Sequence, residues 1–377
     1  MKKFILSLFA LLGMAGATFA QTIAVDNVEA LPGKKAKATL NITCPADKYT
    51  GMQVKLQFPE SFSMAEEKAI SGWDGSLEYS MNNGLAKFAA ASKSAFSATT
   101  IEVEFIVADD AENGEEYGVT VSGWLEGSGV DDAPFTEVTF KVKVVDRLTL
   151  DESSDVLPLA LGAGTNVKVV RTIKKGQWST ICLPFAMPAD KWKAAFGNDA
   201  EIRRFSDYEV KDDNIIVKFE APITTALVAN YPHIIKTSKD VDITSFDVDG
   251  VNLNPNEETA KKVTQYEDEE TGEMADRCYF AGVLKAGTVI PEDGLFLKDG
   301  KFYYSTGKTT SKAFRGYFWF KDKISDASRI IMSFDDATGI KNVNVVDNDK
   351  VYDLQGRPVE NPAKGVYIIG GKKVLVK

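Results

Sequence analysis

The sequence predicts a mainly β protein, with two β-sandwich (jelly-roll-like) domains in tandem and a short C-terminal β-hairpin module. Three observations predict this fold class: apolar and polar residues alternate over many short segments, turn residues separate those segments, and only one segment has a helical pattern. Alternation with a period of two places one set of side chains on a buried sheet face. Many short strands without long helices are typical of sandwiches and jelly rolls.

The predicted organisation has five parts. They are a signal peptide at 1–20, a first sandwich at 21–146, a linker at 147–165, a second mostly-β domain with one short helix at 166–336, and a tail at 340–377. A chain of 377 residues is long enough for two ordinary domains and a tail.

The N-terminus has the three parts of a secretory signal peptide. Lys2 and Lys3 form a basic start, the apolar run from Phe4 to Leu12 follows, and small residues at Thr18 and Ala20 favour cleavage after residue 20. The apolar run is too short to span a membrane, and no later stretch approaches the roughly 18 apolar residues that a span needs. We therefore predict export through the Sec pathway and no membrane span in the mature chain.

The first domain has the clearest strand pattern. Apolar residues alternate in four segments, which contain Ala38 to Cys44, Val54 to Phe58, Ile101 to Val107 and Val138 to Val144. Asn83-Gly84 separates two further strand-like segments, and this dipeptide is a strong signal for a tight β-hairpin. The pattern predicts antiparallel strands that share one buried core.

This domain resembles a cohesin-like or carbohydrate-binding β-sandwich. The segments that carry the resemblance are Ala30-Leu31-Pro32-Gly33, Tyr49 to Leu56, Leu77 to Gly84 and Thr99 to Phe105. Cohesins bind dockerin modules and structurally similar domains bind polysaccharide, so the resemblance implies a binding surface without choosing between a dockerin-like or other surface protein and a polysaccharide.

Two tryptophans are the candidate ligand-binding residues of the first domain. Trp73 lies in a loop-like Ser-Gly-Trp-Asp-Gly context, and Trp124 ends a predicted strand. A flat aromatic face can stack on the apolar face of a sugar ring. Packing at the core or at a strand edge is the alternative role for both side chains.

The second domain follows a linker whose later part, from Asp151 to Thr165, is polar and then Gly-rich. One helix is predicted from Pro188 to Gly197, because Pro suits the first turn of a helix and Gly its end. Trp192, Ala195 and Phe196 have the spacing of a buried helix face.

Residues 170–335 resemble uncharacterised secreted proteins of Bacteroidetes. The resemblance is carried by Trp178-x-Thr180-x-Cys182-Leu183-Pro184-Phe185, by Tyr231 to Lys236 and by Ala313 to Phe318. It implies no particular activity.

The residues that enzymes and metal sites need are scarce. His233 is the single histidine, and no pattern typical of a nucleotide site, a serine nucleophile or a zinc finger occurs. The Asp247 to Asn254 segment has a glycine in the wrong place for a calcium loop. We therefore predict no catalytic residue, no metal and no cofactor. The three cysteines are expected to be buried free thiols, with a Cys182–Cys278 disulfide left open.

The C-terminal tail is patterned to fold. A strand and turn at Val351 to Arg357 precede a strand that starts at Lys364, and Gly370-Gly371 forms the turn of a final hairpin. In this hairpin Ile369 opposes Lys372 and Tyr367 opposes Val374, while Val366 opposes Leu375.

The tail resembles the C-terminal sorting domain of type IX secretion substrates of Bacteroidetes. The residues that carry the resemblance are Tyr352, Asp353, Leu354, Gly356, Arg357, Gly365, Tyr367 and Lys377. The resemblance implies recognition by the export machinery. The alternative is a last hairpin that completes the preceding domain.

Composition limits the partners. The formal net charge is −10, which makes nucleic acid and anionic lipid poor partners. The sequence thus predicts an exported, non-catalytic binding module, secreted or on the outer-membrane surface, with the periplasm as the alternative location. The alternative functions are a structural adhesin without a discrete ligand and a glycan-active enzyme that uses a pair of carboxylates.

Overall fold

The computed structural model describes residues 21–65, 69–211, 214–269, 271–321 and 330–335, and the backbone of 342–344, 351–352, 358–359, 365–369 and 372–376. Strands make up 58% of the structure and helix 3%, so the predicted mainly β class is confirmed. The chain divides into two compact units, one ending at Asp146 and one starting at Arg147.

The first unit contains twelve described strands. They are β1 (Thr22–Val25), β2 (Val28–Ala30), β3 (Lys35–Thr43), β4 (Tyr49–Gln57), β5 (Ser63–Met64), β6 (Ile70–Ser71), β7 (Ser76–Asn82), β8 (Leu85–Phe96), β9 (Ala98–Ile106), β10 (Glu116–Glu126), β11 (Ala133–Pro134) and β12 (Val138–Val144).

These strands form two sheets that enclose one core. The first sheet has the order β1-β3-β9-β5 with β6 beside β9, and the second has the order β2-β12-β10-β4-β8-β7 with β11 beside β10. Inward residues from both sheets, such as Leu40, Leu56, Phe105 and Phe140, belong to a single hydrophobic cluster. The alternation in the sequence is confirmed as the inward and outward pattern of a β-sandwich.

The hairpin predicted around Asn83-Gly84 is also confirmed. It joins β7 to β8, and both turn residues have positive φ, 49° at Asn83 and 74° at Gly84. Two central residues with positive φ define the type I′ turn, whose twist matches that of the strands it joins.

The described residues of the second unit form one helix, α1 (Ala189–Phe196), and many short strands. The strands are β13 (Leu148–Asp151), β14 (Gly162–Ile173), β15 (Ser179–Ile181), β16 (Glu201–Arg203), β17 (Phe205–Lys211), β18 (Asn214–Phe219), β19 (His233–Lys236), β20 (Ile243–Leu253), β21 (Lys261–Glu267), β22 (Met274–Val283), β23 (Thr288–Val289), β24 (Glu292–Lys298), β25 (Lys301–Thr306), β26 (Thr310–Ser311), β27 (Arg315–Phe320), β28 (Ile330–Phe334) and β29 (Asn342–Asn344).

The helix is the one that the sequence predicts. Pro188 precedes its first residue, and Gly197, at φ 104°, ends it by donating its backbone N–H to the carbonyl of Lys193 at 2.8 Å. Trp192 and Phe196 are buried and Ala195 packs beside them, so the predicted buried face is confirmed.

The strands of the second unit are divided among several small sheets. The described pairings give the orders β13-β14-β20, β15-β19-β16, β17-β18-β28-β29 and β21-β22-β27-β24-β25, with β23 paired to β26. Two larger hydrophobic clusters lie among them. Residues 147–165, which are predicted to be a linker, contain β13 and the first residues of β14. A second two-sheet sandwich stays a prediction.

The tail strands form their own sheet. They are β30 (Val351–Tyr352), β31 (Pro358–Val359), β32 (Gly365–Ile369) and β33 (Lys372–Val376), in the order β31-β30-β32-β33. The register of the final hairpin is the predicted one, with Tyr367 opposite Val374. Five residues of the sorting-domain resemblance lie outside the described residues: Asp353, Leu354, Gly356, Arg357 and Lys377.

Candidate functional site

The outward surface of β7, β8, β4 and β10, which we call the outer face, holds the most distinctive exposed side chains of the first unit. On β10, Val121 and Leu125 point into the core, so Trp124 between them points outward. On β4, Val54 is buried and Lys55 is directed to the outer face.

Gly123 allows β10 to approach β4 closely beside Trp124. It has φ 155°, and a Cβ at this position would overlap the carbonyl oxygen of Gln53. The close approach places Trp124 directly opposite Gln53 in the register. Position 123 therefore requires glycine, and the indole of the next residue lies beside the side chain of Gln53.

Polar neighbours hold the indole of Trp124 in place. Its Nε1–H donates to Oε1 of Glu126 at 3.0 Å, and the side-chain amide of Gln53 donates to the same oxygen at 2.7 Å. The ammonium of Lys55 lies 5.1 Å from the ring centroid, within the range of a cation–π contact. The ring is half-buried, and its position is set by side chains from two strands.

Two lysines face each other beside this tryptophan. Lys55 on β4 lies directly opposite Lys87 on β8, and both side chains are on the outer face. Like charges directly opposite in a sheet are destabilising. Neither ammonium has a carboxylate partner in the part of the chain that the structure describes. The pair therefore leaves positive charge exposed on an acidic protein.

A shallow depression surrounds this pair. Its volume is about 290 Å³, and its lining includes both lysines together with Gln53, Glu78 and Ala89. Ala89 lies opposite Gln53 on one side and opposite Glu78 on the other, and its small side chain leaves room between the longer ones. The outer face is thus a nearly flat surface with a cationic centre and an aromatic neighbour.

Trp73 occupies a different setting. Its Nε1–H donates to the backbone carbonyl of Ala91 at 3.2 Å, and its ring packs edge-on against Phe96 with 5.1 Å between centroids. The side chain is half-buried against the core of the sandwich. No ring contact joins Trp73 to Trp124 among the residues described, so the two candidates are not brought into one aromatic platform.

The lysine pair is the feature that sequence reasoning did not find. The Asn83-Gly84 turn sets the register of β7 against β8, but β4 and β8 are more than twenty residues apart and their register is set by the folded sheet. No local signal therefore places Lys55 opposite Lys87.

The surroundings of His233 are those of a buried residue with a structural role. Its side chain is fully buried, and its Nδ1 lies 2.8 Å from the backbone carbonyl of Tyr231, which makes Nδ1 the protonated nitrogen. Burial lowers the pKa of His233 to about 4; the hydrogen bond to Tyr231 opposes this change and the charge of Arg204 adds to it.

The three cysteines are buried and free, as predicted. Across the described ranges, no group of three or more His, Cys, Asp or Glu side chains is arranged to hold a metal ion. Within the same ranges, the structure contains no helix with the length and apolarity that a membrane crossing needs.

Comparison with known proteins gives distant structural likenesses. No family model and no curated protein matches the chain. A cohesin from Clostridium thermocellum, solved in a cohesin–dockerin complex, is 12% identical and covers 34% of this chain and 100% of its own, with a TM-score of 0.29. The non-cellulosomal cohesin of Archaeoglobus fulgidus is 14% identical over 34% of this chain and 92% of its own, with a TM-score of 0.28.

A third similar structure is the cohesin module of a family 33 glycoside hydrolase from Clostridium perfringens. It is 15% identical and covers 33% of this chain and 96% of its own, with a TM-score of 0.28. These three structural neighbours are cohesins, and a cohesin-like sandwich is one of the two classes of sandwich expected for 21–146. At these identities and TM-scores the likeness carries no inference about what this chain binds.

Proposed function

We propose that this chain is an exported, non-catalytic binding protein whose outer face docks a protein partner with an acidic surface. The observation that carries the proposal is the Lys55–Lys87 pair beside Trp124. Two facing ammonium groups repel each other in the free protein, and carboxylates of a partner would relieve that repulsion on docking.

The surroundings of Trp124 favour a protein over a sugar. Sugar stacking needs an open ring face, and the ammonium of Lys55 lies over the indole. Tryptophan is instead among the residues enriched at the hot spots of protein–protein interfaces, and Glu126 holds the indole of Trp124 in place. A dockerin-like module falls within this class of partner.

The remaining functions are alternatives to this proposal. Polysaccharide binding would place the sugar on Trp73 or Trp124. A structural adhesin would have no discrete ligand, and a glycan-active enzyme would turn a polysaccharide over.

The binding proposal is tested with the mature chain, residues 21–377. Secreted and surface proteins of the source organism are passed over the immobilised chain, the retained proteins are identified, and the Kd of each purified protein is measured. We expect a retained protein whose Kd rises at least tenfold for the double variant Lys55→Glu/Lys87→Glu and for Trp124→Ala, because both changes alter the centre of the interface. Raising the salt concentration should weaken binding as well.

The matched control reverses two exposed lysines outside the outer face, Lys48→Glu/Lys143→Glu, and gives the same change in net charge. It should bind like the wild type. Equal binding by all variants would overturn the proposal. Specific binding on a glycan array that falls for Trp73→Ala would support a sugar ligand instead, and a flat array with retained cell adhesion would support the adhesin. Turnover of any polysaccharide by the purified chain would refute the non-catalytic assignment.

For export, we propose that the signal peptide directs the chain to the Sec pathway and that the tail is read by the machinery that delivers it to the surface or the medium. Deletion of residues 340–377 tests the tail when the protein is followed through cell fractions. Retention in the periplasm would support the sorting function. Unchanged delivery with lowered stability would instead show that the final hairpin completes the preceding domain.

A further inference from the structure

The second unit contains a cleft with a positively charged lining. Its volume is about 740 Å³, within the range of about 300–1,000 Å³ that is usual for ligand sites. The charged residues of the lining are Lys174, Lys298, Lys312, Arg315, Glu152 and Asp299. Cations outnumber carboxylates there, although the whole chain carries a net charge of −10. We call this site the basic cleft.

Both carboxylates of the basic cleft already have cationic partners. Glu152 accepts hydrogen bonds from Lys312 at 2.9 Å and from Arg315 at 2.5 Å, and Asp299 accepts one from Lys174 at 2.6 Å. Burial alone would raise the pKa of Glu152, but the hydrogen bonds and charges of Lys312 and Arg315 lower it, so this group stays ionised at neutral pH. The positive charge that remains is that of Lys298 and of the second cation on Glu152.

A buried arginine adds charge beneath this cluster. Arg171 is fully buried and donates to the backbone carbonyls of Phe314 and of Thr180, and Thr180 lines the cleft. Burial lowers the pKa of Arg171, the charge of Arg315 lowers it further, and the charge of Glu152 opposes this change. The buried Nε atoms of both arginines have no acceptor among the described residues. Both Nε atoms are enclosed by protein, whereas the Arg315 side chain as a whole is 26% exposed at the cleft.

The backbone at this point adopts a conformation that bulky residues rarely adopt. Phe314 has φ 59°, and its carbonyl accepts from Arg171 and from the backbone N–H of Cys182 at 3.2 Å. Such conformations persist where the surroundings hold them, and they cluster at functional sites. Arg315, the next residue, is thereby fixed at the cleft.

The rest of the lining indicates what kind of anion would bind. Trp178, Phe296 and Tyr303 supply aromatic surface, with Phe296 and Tyr303 stacked at 5.8 Å between centroids and Tyr303 43% exposed. Hydroxyl side chains, such as those of Ser179 and Thr309, lie in the same lining. Aromatic faces pack against sugar rings, hydroxyl groups bond to sugar hydroxyls, and cations bind carboxylate or sulfate.

We propose that the basic cleft binds an acidic oligosaccharide, with a carboxylate or sulfate group on Arg315 and Lys298 and a sugar ring against Tyr303. An acidic peptide offers the same charge, but it lacks the hydroxyl-rich rings that match the hydroxyl and aromatic lining. This site is in the second unit and is independent of the outer face of the first.

The test is calorimetric titration of the mature chain with four probes. They are a hexamer of galacturonate, a chondroitin sulfate hexasaccharide, neutral maltohexaose and a poly-glutamate peptide. At least one of the two acidic saccharides should bind ten times more tightly than maltohexaose and the peptide, with an affinity that falls as salt is added. The first two probes distinguish carboxylate from sulfate as the recognised group.

Two exposed positions allow the site to be altered without touching the buried network. Lys298→Gln and Tyr303→Ala should each weaken saccharide binding at least fivefold, with unchanged circular dichroism and Tm. Lys239→Gln removes the same charge from an exposed residue outside the lining and should bind like the wild type. Absence of binding by both acidic saccharides, tighter binding of poly-glutamate, or unchanged affinity in both cleft variants would overturn the proposal. The outer-face variant Lys55→Glu/Lys87→Glu should keep saccharide binding, so the two proposals fail separately.

Discussion

Burial decides the chemistry of single residues such as His233 and the three cysteines. His233 is enclosed with one nitrogen bonded to a backbone carbonyl and the other, Nε2, without a hydrogen-bond partner among the described residues. A charged imidazolium would lose hydration at this position, so the folded state favours the neutral ring. For the cysteines, burial favours the neutral thiol in the same way.

The depressed pKa of His233 predicts a loss of stability in mild acid. The unfolded ring takes up a proton near its ordinary pKa of 6.5, whereas the folded ring does so only at about 4. Its contribution to stability is therefore complete above pH 6.5 and is lost as the pH falls to about 4. The unfolding free energy of the wild type and of His233→Asn is measured by urea titration at pH 7 and at pH 4. Between these two pH values, we expect the wild type to lose roughly 2–3 kcal/mol more than the variant.

The wild type is compared with His233→Asn because carboxylates also titrate between pH 7 and pH 4. They are present in both proteins, so their contribution cancels in the difference. Parallel pH profiles for wild type and variant would contradict the buried neutral assignment of His233.

The cysteines are expected to be unreactive in the folded protein. Burial raises the pKa of Cys182 to about 12 and that of Cys278 to about 11, and it also raises the pKa of Cys44. Thiolates are the reactive form, so a disulfide-exchange reagent at pH 8 should titrate no thiol rapidly in the native chain and three in denaturant. Rapid stoichiometric labelling of the native protein would contradict this.

Among the elements, the β7–β8 hairpin shows how a two-residue turn in the sequence sets the positions of side chains on the outer face. Its turn residues satisfy the type I′ geometry, and the register that follows places Glu78 opposite Ala89 and Ser80 opposite Lys87. The hairpin therefore supplies one side of the outer face, while β4 and β10 supply the other.

Gly84 in this turn should be sensitive to substitution. Its φ is 74°, and an added Cβ would lie 2.3 Å from the carbonyl oxygen of Phe58, which is too close for any side-chain atom. We expect Gly84→Ala to lower the unfolding free energy by roughly 2–4 kcal/mol, from positive-φ strain and displaced backbone together.

Gly114 provides the matched control, because it also has a positive φ, 96°, but open space around its Cβ position. Gly114→Ala should cost only about 1–2 kcal/mol. Chemical denaturation of both variants measures the difference. Equal losses of unfolding free energy in the two variants would show that the contact with Phe58 adds nothing to the cost of a side chain at Gly84.

For the whole molecule, the main feature is that the first unit has its own complete core. Both of its sheets contribute to one hydrophobic cluster, and the described residues of that cluster all lie before Asp146. Sandwiches of this size bury enough apolar surface to fold independently.

We therefore expect residues 21–146, produced alone, to unfold cooperatively. Urea denaturation followed by tryptophan fluorescence should agree with denaturation followed by circular dichroism, because Trp73 packs against the core of this unit and Trp124 contacts Lys55 and Glu126 on its outer face. A fragment with strand content but no cooperative transition would contradict an independent core.

Features that depend on neighbouring residues could be predicted from the amino-acid sequence. The period-two alternation placed Leu40, Leu56 and Phe105 in the core, the Asn83-Gly84 dipeptide specified a hairpin, and Pro188 with Gly197 bounded the helix. These features follow from backbone sterics and side-chain periodicity, which act over a few residues.

Which distant side chains meet could be seen only in the folded chain. Folding places Lys55 opposite Lys87, buries Arg171 beneath the basic cleft, and joins Glu152 to Arg315 across more than 160 residues of sequence. These contacts escape prediction because strand register and the packing of several small sheets are set by long-range contacts. The lysine pair and the basic cleft therefore exist only in the folded chain.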